Sequence, residues 1–141
     1  MSRSTSANAL RPWLRWLLLS AAWSLLLSGV LWWILHDALG PGADGLPSPI
    51  EPWLMRWHGA AVVAGLYALG AISGTHVPRG WAMRRHRRTG AVLLAAWGLL
   101  ATSGWALSYL TPESWRTWVG TGHALVGVAA FLIGVVHARW P

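Results

Sequence analysis

Apolar residues along this chain gather in four long runs. Positions 13–36, 53–77, 89–110 and 115–138 are dominated by Leu, Ala, Val, Trp and Gly, and none contains an acidic residue. A helix needs about 20 mostly apolar residues to cross a bilayer core, and each run reaches that length. Polar positions collect between the runs: a Pro/Gly-rich stretch at 37–52, a basic stretch at 78–88 and a short turn at 111–114. Connections this short make neighbouring helices antiparallel. The pattern predicts an all-α membrane protein, a four-transmembrane-helix up-down-up-down bundle. It occupies residues 13–139 behind a cytoplasmic N-terminal tail, 1–12. No internal repeat is strong enough to argue from, although the second and fourth runs share a histidine layout.

Local signals predict the boundaries. Thr111 before Pro112 reads as an N-cap and first helical position for the fourth span. Ser48-Pro49-Ile50-Glu51 reads as a capping box opening the second, with Pro52 as an alternative start. Val77 before Pro78 predicts its end, because a residue preceding proline avoids helical geometry. The first run exceeds the apolar stretch of a secretory signal and is followed by no clear small-residue cleavage site, so it reads as a retained anchor.

Composition narrows the class. Hydrophobic residues make up 55% of the chain and charged residues 11%, against roughly 25% charged in soluble proteins. The net charge of +7 comes from eleven Arg, with no Lys. These cluster between apolar runs, which is not a nucleic-acid binder's surface. The chain has no Cys, so disulfides, thiolate metal sites and covalent c-type haem attachment are excluded. Nucleophile triads, phosphate-binding loops, dinucleotide fingerprints and paired catalytic carboxylates are all missing. Whether the chain is an enzyme stays open; it reads as an electron-transfer protein or redox subunit rather than a stand-alone one.

Arginine sets the expected orientation. Arg3, Arg11 and Arg15 precede the first span; Arg79, Arg84, Arg85, Arg87 and Arg88 lie in the middle loop; Arg139 follows the fourth. The other side holds Arg56 and Arg116 with Asp37, Asp44, Glu51 and Glu113, the carboxylates reading as solvated. The positive-inside rule then places both termini in the cytoplasm, for a multi-pass protein of the bacterial inner membrane. Most Trp sit near span ends, as interfacial belts do, with Trp23 and Trp97 deeper. The basic loop serves topology and anionic headgroups, or seats cofactor propionates or an acidic partner.

Ionisable residues inside spans are costly and usually functional. His58 and His76 lie early and late in the second span, His123 and His137 in the fourth. At about 100° per residue, the step from His58 to His76 is five full turns, and that from His123 to His137 returns within about 40°. The axial separations are roughly 27 and 21 Å. Each helix is thus expected to carry an outer and an inner His on one stripe. Zinc needs three or four ligands converging on one point. Two parallel helices with paired imidazoles suit axial ligation of stacked haems better. Gly59, Gly65, Gly70 and Gly74, with Gly120, Gly122, Gly127 and Gly134, let a flat ring approach, or simply pack helices. Helix three adds Gly90, Gly98 and Gly104. His36 is an interfacial residue or a third outer ligand candidate, and His86 reads as solvated.

Several stretches carry a resemblance. They are Trp32-Trp33-Ile34-Leu35-His36, Trp57-His58-Gly59, Gly74-Thr75-His76-Val77-Pro78-Arg79-Gly80-Trp81, Arg87-Arg88-Thr89-Gly90, Thr102-Ser103-Gly104, and Gly122-His123-Ala124-Leu125-Val126-Gly127 with His137. Through them the chain resembles small bacterial four-helix membrane proteins related to di-haem b-type cytochromes, broadly cytochrome b561-like. The resemblance covers residues 13–139. It implies His58, His76, His123 and His137 as axial ligands of haem b, one or two per chain, and one-electron transfer. The His58–His76 spacing is wider than in the best-known di-haem bundles. Expected partners are the lipid bilayer, a quinone and a periplasmic or membrane redox protein, with membership of a larger complex open. The competing readings are a non-redox membrane subunit or assembly factor, and a His-lined ion conductor.

Overall fold

The computed structural model describes residues 11–84 and 86–139. Arg3, Arg85 and the tail up to residue 10 lie outside the described residues. Among the described residues all regular structure is helical, and it divides into two compact units that meet in sequence between Arg85 and His86.

The first unit is a helical hairpin with a short appendage. α1, Pro12–Trp33, opens on a proline, whose missing N–H would have had no intrahelical partner there. Its last turn widens into a π-helical segment, Ile34–Leu39. α2, Glu51–Ser73, returns antiparallel against α1. Leu14, Ala68 and Ile72 are buried together between them, with Leu17, Leu18 and Leu69 packed around that cluster. Small residues at Ala21 and Ala61 are also buried.

The start of α2 differs from a full capping box. Glu51 reaches back to the Ser48 N–H through Oε1 at 3.0 Å, as such a box requires. The Ser48 hydroxyl makes no cap bond, and the helix opens at Glu51 with Ile50 before it. Pro52 supplies no N–H, so one of the donors that a cap would serve is absent. Glu51 itself was expected in solvent and is instead buried.

The predicted end of the second span also moves. α2 stops at Ser73, and α3, His76–Ala82, sets off at 45° to it. Pro78 explains the position of the bend. A proline ring collides with the carbonyl four residues earlier, here that of Gly74, so the chain breaks one turn before Pro78 rather than beside it. Pro78 then sits in the first turn of α3, where it is tolerated.

The second unit is a plainer hairpin. α4, Arg87–Tyr109, and α5, Glu113–Arg139, pack antiparallel through a three-residue connection. Thr111 was expected to cap the following helix. It closes the preceding one instead: its N–H and its hydroxyl both donate to the Ala106 carbonyl, at 2.9 and 3.0 Å. The last carbonyls of a helix lack intrahelical donors, and Thr111 is within reach of them.

Among the described residues, three helical stretches are long and apolar enough to cross a membrane: Pro12–Leu39, Arg87–Tyr109 and Glu113–Arg139. α2 and α3 pass the same test as one bent pair. Large apolar side chains stay exposed along them, among them Trp16, Leu27, Val63, Leu99, Leu125 and Leu132. Hydroxyls on these helices are satisfied locally. Ser20, Ser73, Thr102 and Ser108 each donate to a carbonyl three or four residues back, which suits a solvent that offers no partners.

Candidate functional site

Three of the four predicted ligand histidines share one local arrangement. His58 on α2 lies with Nδ1 2.9 Å from Ser28 Oγ on α1. His123 on α5 lies with Nδ1 2.8 Å from Ser103 Oγ on α4. His137, also on α5, lies with Nδ1 3.0 Å from Thr89 Oγ1 on α4. All three rings are half-buried.

Counting protons bears on which nitrogen carries the hydrogen. A hydroxyl has one proton to give and two lone pairs. Ser28 sends its proton to the Ser24 carbonyl at 2.6 Å, so it accepts from the imidazole. Ser103 faces the Leu100 carbonyl at 3.3 Å and Thr89 the His86 carbonyl at 3.1 Å in the same way. Ser28 thus leaves a lone pair for a His58 Nδ1–H, which would put that ring's lone pair on Nε2; at Ser103 and Thr89 the hydroxyl proton has both the carbonyl and Nδ1 within reach. Metal-bound histidines are commonly oriented by just such a bond from the other ring nitrogen. The Ser28–His58 pair has the orientation that metal ligation through Nε2 would use, and the other two rings are held at the same nitrogen.

A glycine follows every one of these hydroxyl residues. A Cβ on Gly29 would stand 3.4 Å from His58 Cε1, and one on Gly104 would stand 3.3 Å from His123 Cε1. One on Gly90 would stand 3.9 Å from His137 Cε1. The first two rings lie against helix backbone at a distance that a larger residue would disturb; the third has ordinary room. Other glycines expected beside a cofactor, Gly59, Gly70, Gly74, Gly98, Gly120 and Gly122, border no heavy atom within 4 Å.

His123 and His137 both face α4, as their 14-residue spacing predicts. The corresponding expectation for His58 and His76 fails in its premise. They do not ride on one continuous helix, because α2 has ended before His76 opens α3. His86 was expected in solvent. It is half-buried at φ 51°, ahead of α4, with its ring edge-on to His137 at 5.7 Å between centroids.

His36 forms a second polar node. Its Nδ1 lies 2.8 Å from Oε2 of the buried Glu51, and its ring stacks on Trp32 at 4.5 Å. The pair ties the π-helical end of α1 to the first turn of α2. A cavity of about 560 Å³ nearby is lined by Leu35 and Leu39 of the π-helical segment and by residues of the following loop as far as Pro49.

Among the described residues no three or more His, Cys, Asp or Glu side chains gather around one point that could hold a metal ion. A bis-imidazole iron takes two protein ligands, fewer than a closed zinc site needs, so it makes no demand for such a cluster. No family model, curated protein or solved structure matches the chain.

The hydroxyl partners Ser28, Thr89 and Ser103 were given no role in the sequence reading. Their signal is a pairing across two helices. Thr89-Gly90 and Ser103-Gly104 are 14 residues apart, the same interval as His123 and His137 on the antiparallel neighbour.

Proposed function

We propose that this chain is an integral-membrane b-type cytochrome, a four-span up-down bundle that carries electrons through histidine-ligated haem. The observation that supports it best is the shared histidine–hydroxyl arrangement. Three histidines on apolar helices are each held at Nδ1 by a hydroxyl of the neighbouring helix. Haem bound there supplies a one-electron ferric/ferrous couple. The chain's own part is to fix ring orientation, keep Nε2 basic through the Nδ1 bond, and surround the group with apolar side chains that tune its potential. A quinone or a membrane redox protein is the expected exchange partner.

The deciding experiment is a pyridine haemochrome assay on detergent-purified protein, with a reduced-minus-oxidised spectrum. The expected result is non-covalent haem b with a low-spin spectrum. Protein that purifies without haem after expression with ample haem supply would overturn the reading. It would leave the structural subunit or the ion conductor.

We place the protein in the bacterial inner membrane with both termini cytoplasmic. The arginine asymmetry, nine against two, supports this orientation. A reporter fused after residue 141 should be active if it needs the cytoplasm and silent if it needs the periplasm. A fusion within 40–46 should behave the opposite way.

A further inference from the structure

Two polar bridges join the helices of the first hairpin. One runs from Ser28 to His58. The other, eight residues further along α1 and seven residues earlier on α2, runs from His36 to Glu51. Eight steps of a regular α-helix would leave His36 about 80° from the direction of Ser28. The chain turns π-helical at Ile34, and a π turn spends more residues than an α turn, which swings His36 back toward α2. Such turns are rare and collect at functional positions.

This one presents an unequal pair. The Glu51 side chain is 7% exposed, with Oε1 on the Ser48 N–H and Oε2 2.8 Å from His36 Nδ1. The His36 side chain is 47% exposed. A carboxylate is thus withdrawn from solvent behind an imidazole that solvent reaches. With one proton on the ring the pair carries one negative charge, and a second proton on the ring makes it neutral. The charged groups around it are Asp37 on the π-helical segment, Asp44 in the loop, held to the Leu46 N–H, and Arg56 on α2, over the Trp53 ring. Among the described residues none of them forms an ion pair with His36 or Glu51. Glu51 lies two helical turns, about 10 Å, along α2 from His58. In apolar surroundings a change of charge is felt over that distance.

We propose that His36 and Glu51 form a redox-linked proton site. The pair takes one proton from water at its end of the hairpin when an electron arrives at the haem site of His58, and returns it when the electron leaves. The electron comes from the redox partner that the carrier serves, the proton from solvent through the exposed ring. Such coupling is reciprocal: reduction favours protonation, and protonation raises the potential. The inference rests on the cytochrome reading and adds a proton to its electron transfer.

The test has one readout without haem and one with it. In haem-free protein, the 15N NMR signals of His36 are followed between about pH 5 and 8, the range in which imidazoles ordinarily titrate. The ring should take up one proton as pH falls, and Glu51→Gln should shift that titration. In haem-loaded protein the midpoint potential should fall as pH rises. This slope should vanish in His36→Gln, leave its wild-type pH range in Glu51→Gln, and persist in Asp37→Asn, each variant being checked for intact helix by circular dichroism. A merely structural clamp would alter stability in the first two variants and leave the slope untouched. A slope absent from wild type, or one that survives His36→Gln, would overturn the inference while leaving the cytochrome reading standing. A His36 titration indifferent to Glu51→Gln would overturn it as well. Protein that holds no haem would sink the cytochrome reading, and this inference with it.

Discussion

His123→Ala is expected to remove one low-spin haem, and His58→Ala to do the same, while both proteins still insert. An alanine offers iron no donor, and the apolar helix around it offers no substitute nitrogen. Ser103 is left with an unused acceptor facing a small void, which costs about 1–3 kcal/mol and does not unfold a long apolar helix. The loss should be of haem and not of protein. Haem content and membrane yield, measured together, separate the two. A His123→Ala protein with full low-spin haem would mean that another nitrogen serves as the ligand. His36 would then be the first residue to examine, because it is the remaining histidine at the same end of its hairpin as His58.

Gly104→Val is expected to empty the site almost as completely, although it removes no ligand. A Cβ at this position already meets His123 Cε1 at 3.3 Å, and the two methyls of valine would claim the volume that the ring now fills. Overpacking of this kind costs about 1–3 kcal/mol when neighbours can shift. Here the ring would shift by breaking its bond to Ser103. Gly29→Val should act on His58 in the same way, from 3.4 Å. Gly90→Ala is the matching control, since its Cβ would rest 3.9 Å from His137 at ordinary contact. Ser103→Ala lies between these extremes. It removes the orienting bond without adding bulk, and losses of about 10–100-fold in affinity are usual for such partners. Haem titration of the four variants should rank them in that order, with Gly104→Val weakest. Equal binding by Gly104→Val and wild type would show that the His123 ring is not held against α4.

Helix type and extent were legible because hydropathy is a local sum. The runs at 89–110 and 115–138 reappear as α4 and α5 within two residues at every end. The first run was read short at its exit, since the π-helical turn through Leu39 follows from Asp37, Ala38 and Leu39, which carry no apolar periodicity. The second was read as one helix to Val77, because the rule applied concerned the residue before a proline. The carbonyl four residues earlier governed instead, and the bend fell at Gly74 and Thr75.

Which residues are apolar, where arginine gathers and how far apart the histidines stand are properties of the chain as written, and they mark the class and the candidate imidazoles. Hydrogen bonds between side chains on different helices are not of that kind. That Ser28 meets His58, that Ser103 meets His123, and that Leu14 and Ile72 share one buried cluster depends on the register of one antiparallel helix against its neighbour. A slide of one turn, about 5.4 Å, would unmake every one of those pairs without altering hydropathy at any position. Register follows from loop length, small residues at the contact and interlocking side chains acting together, so only the folded hairpins decide it.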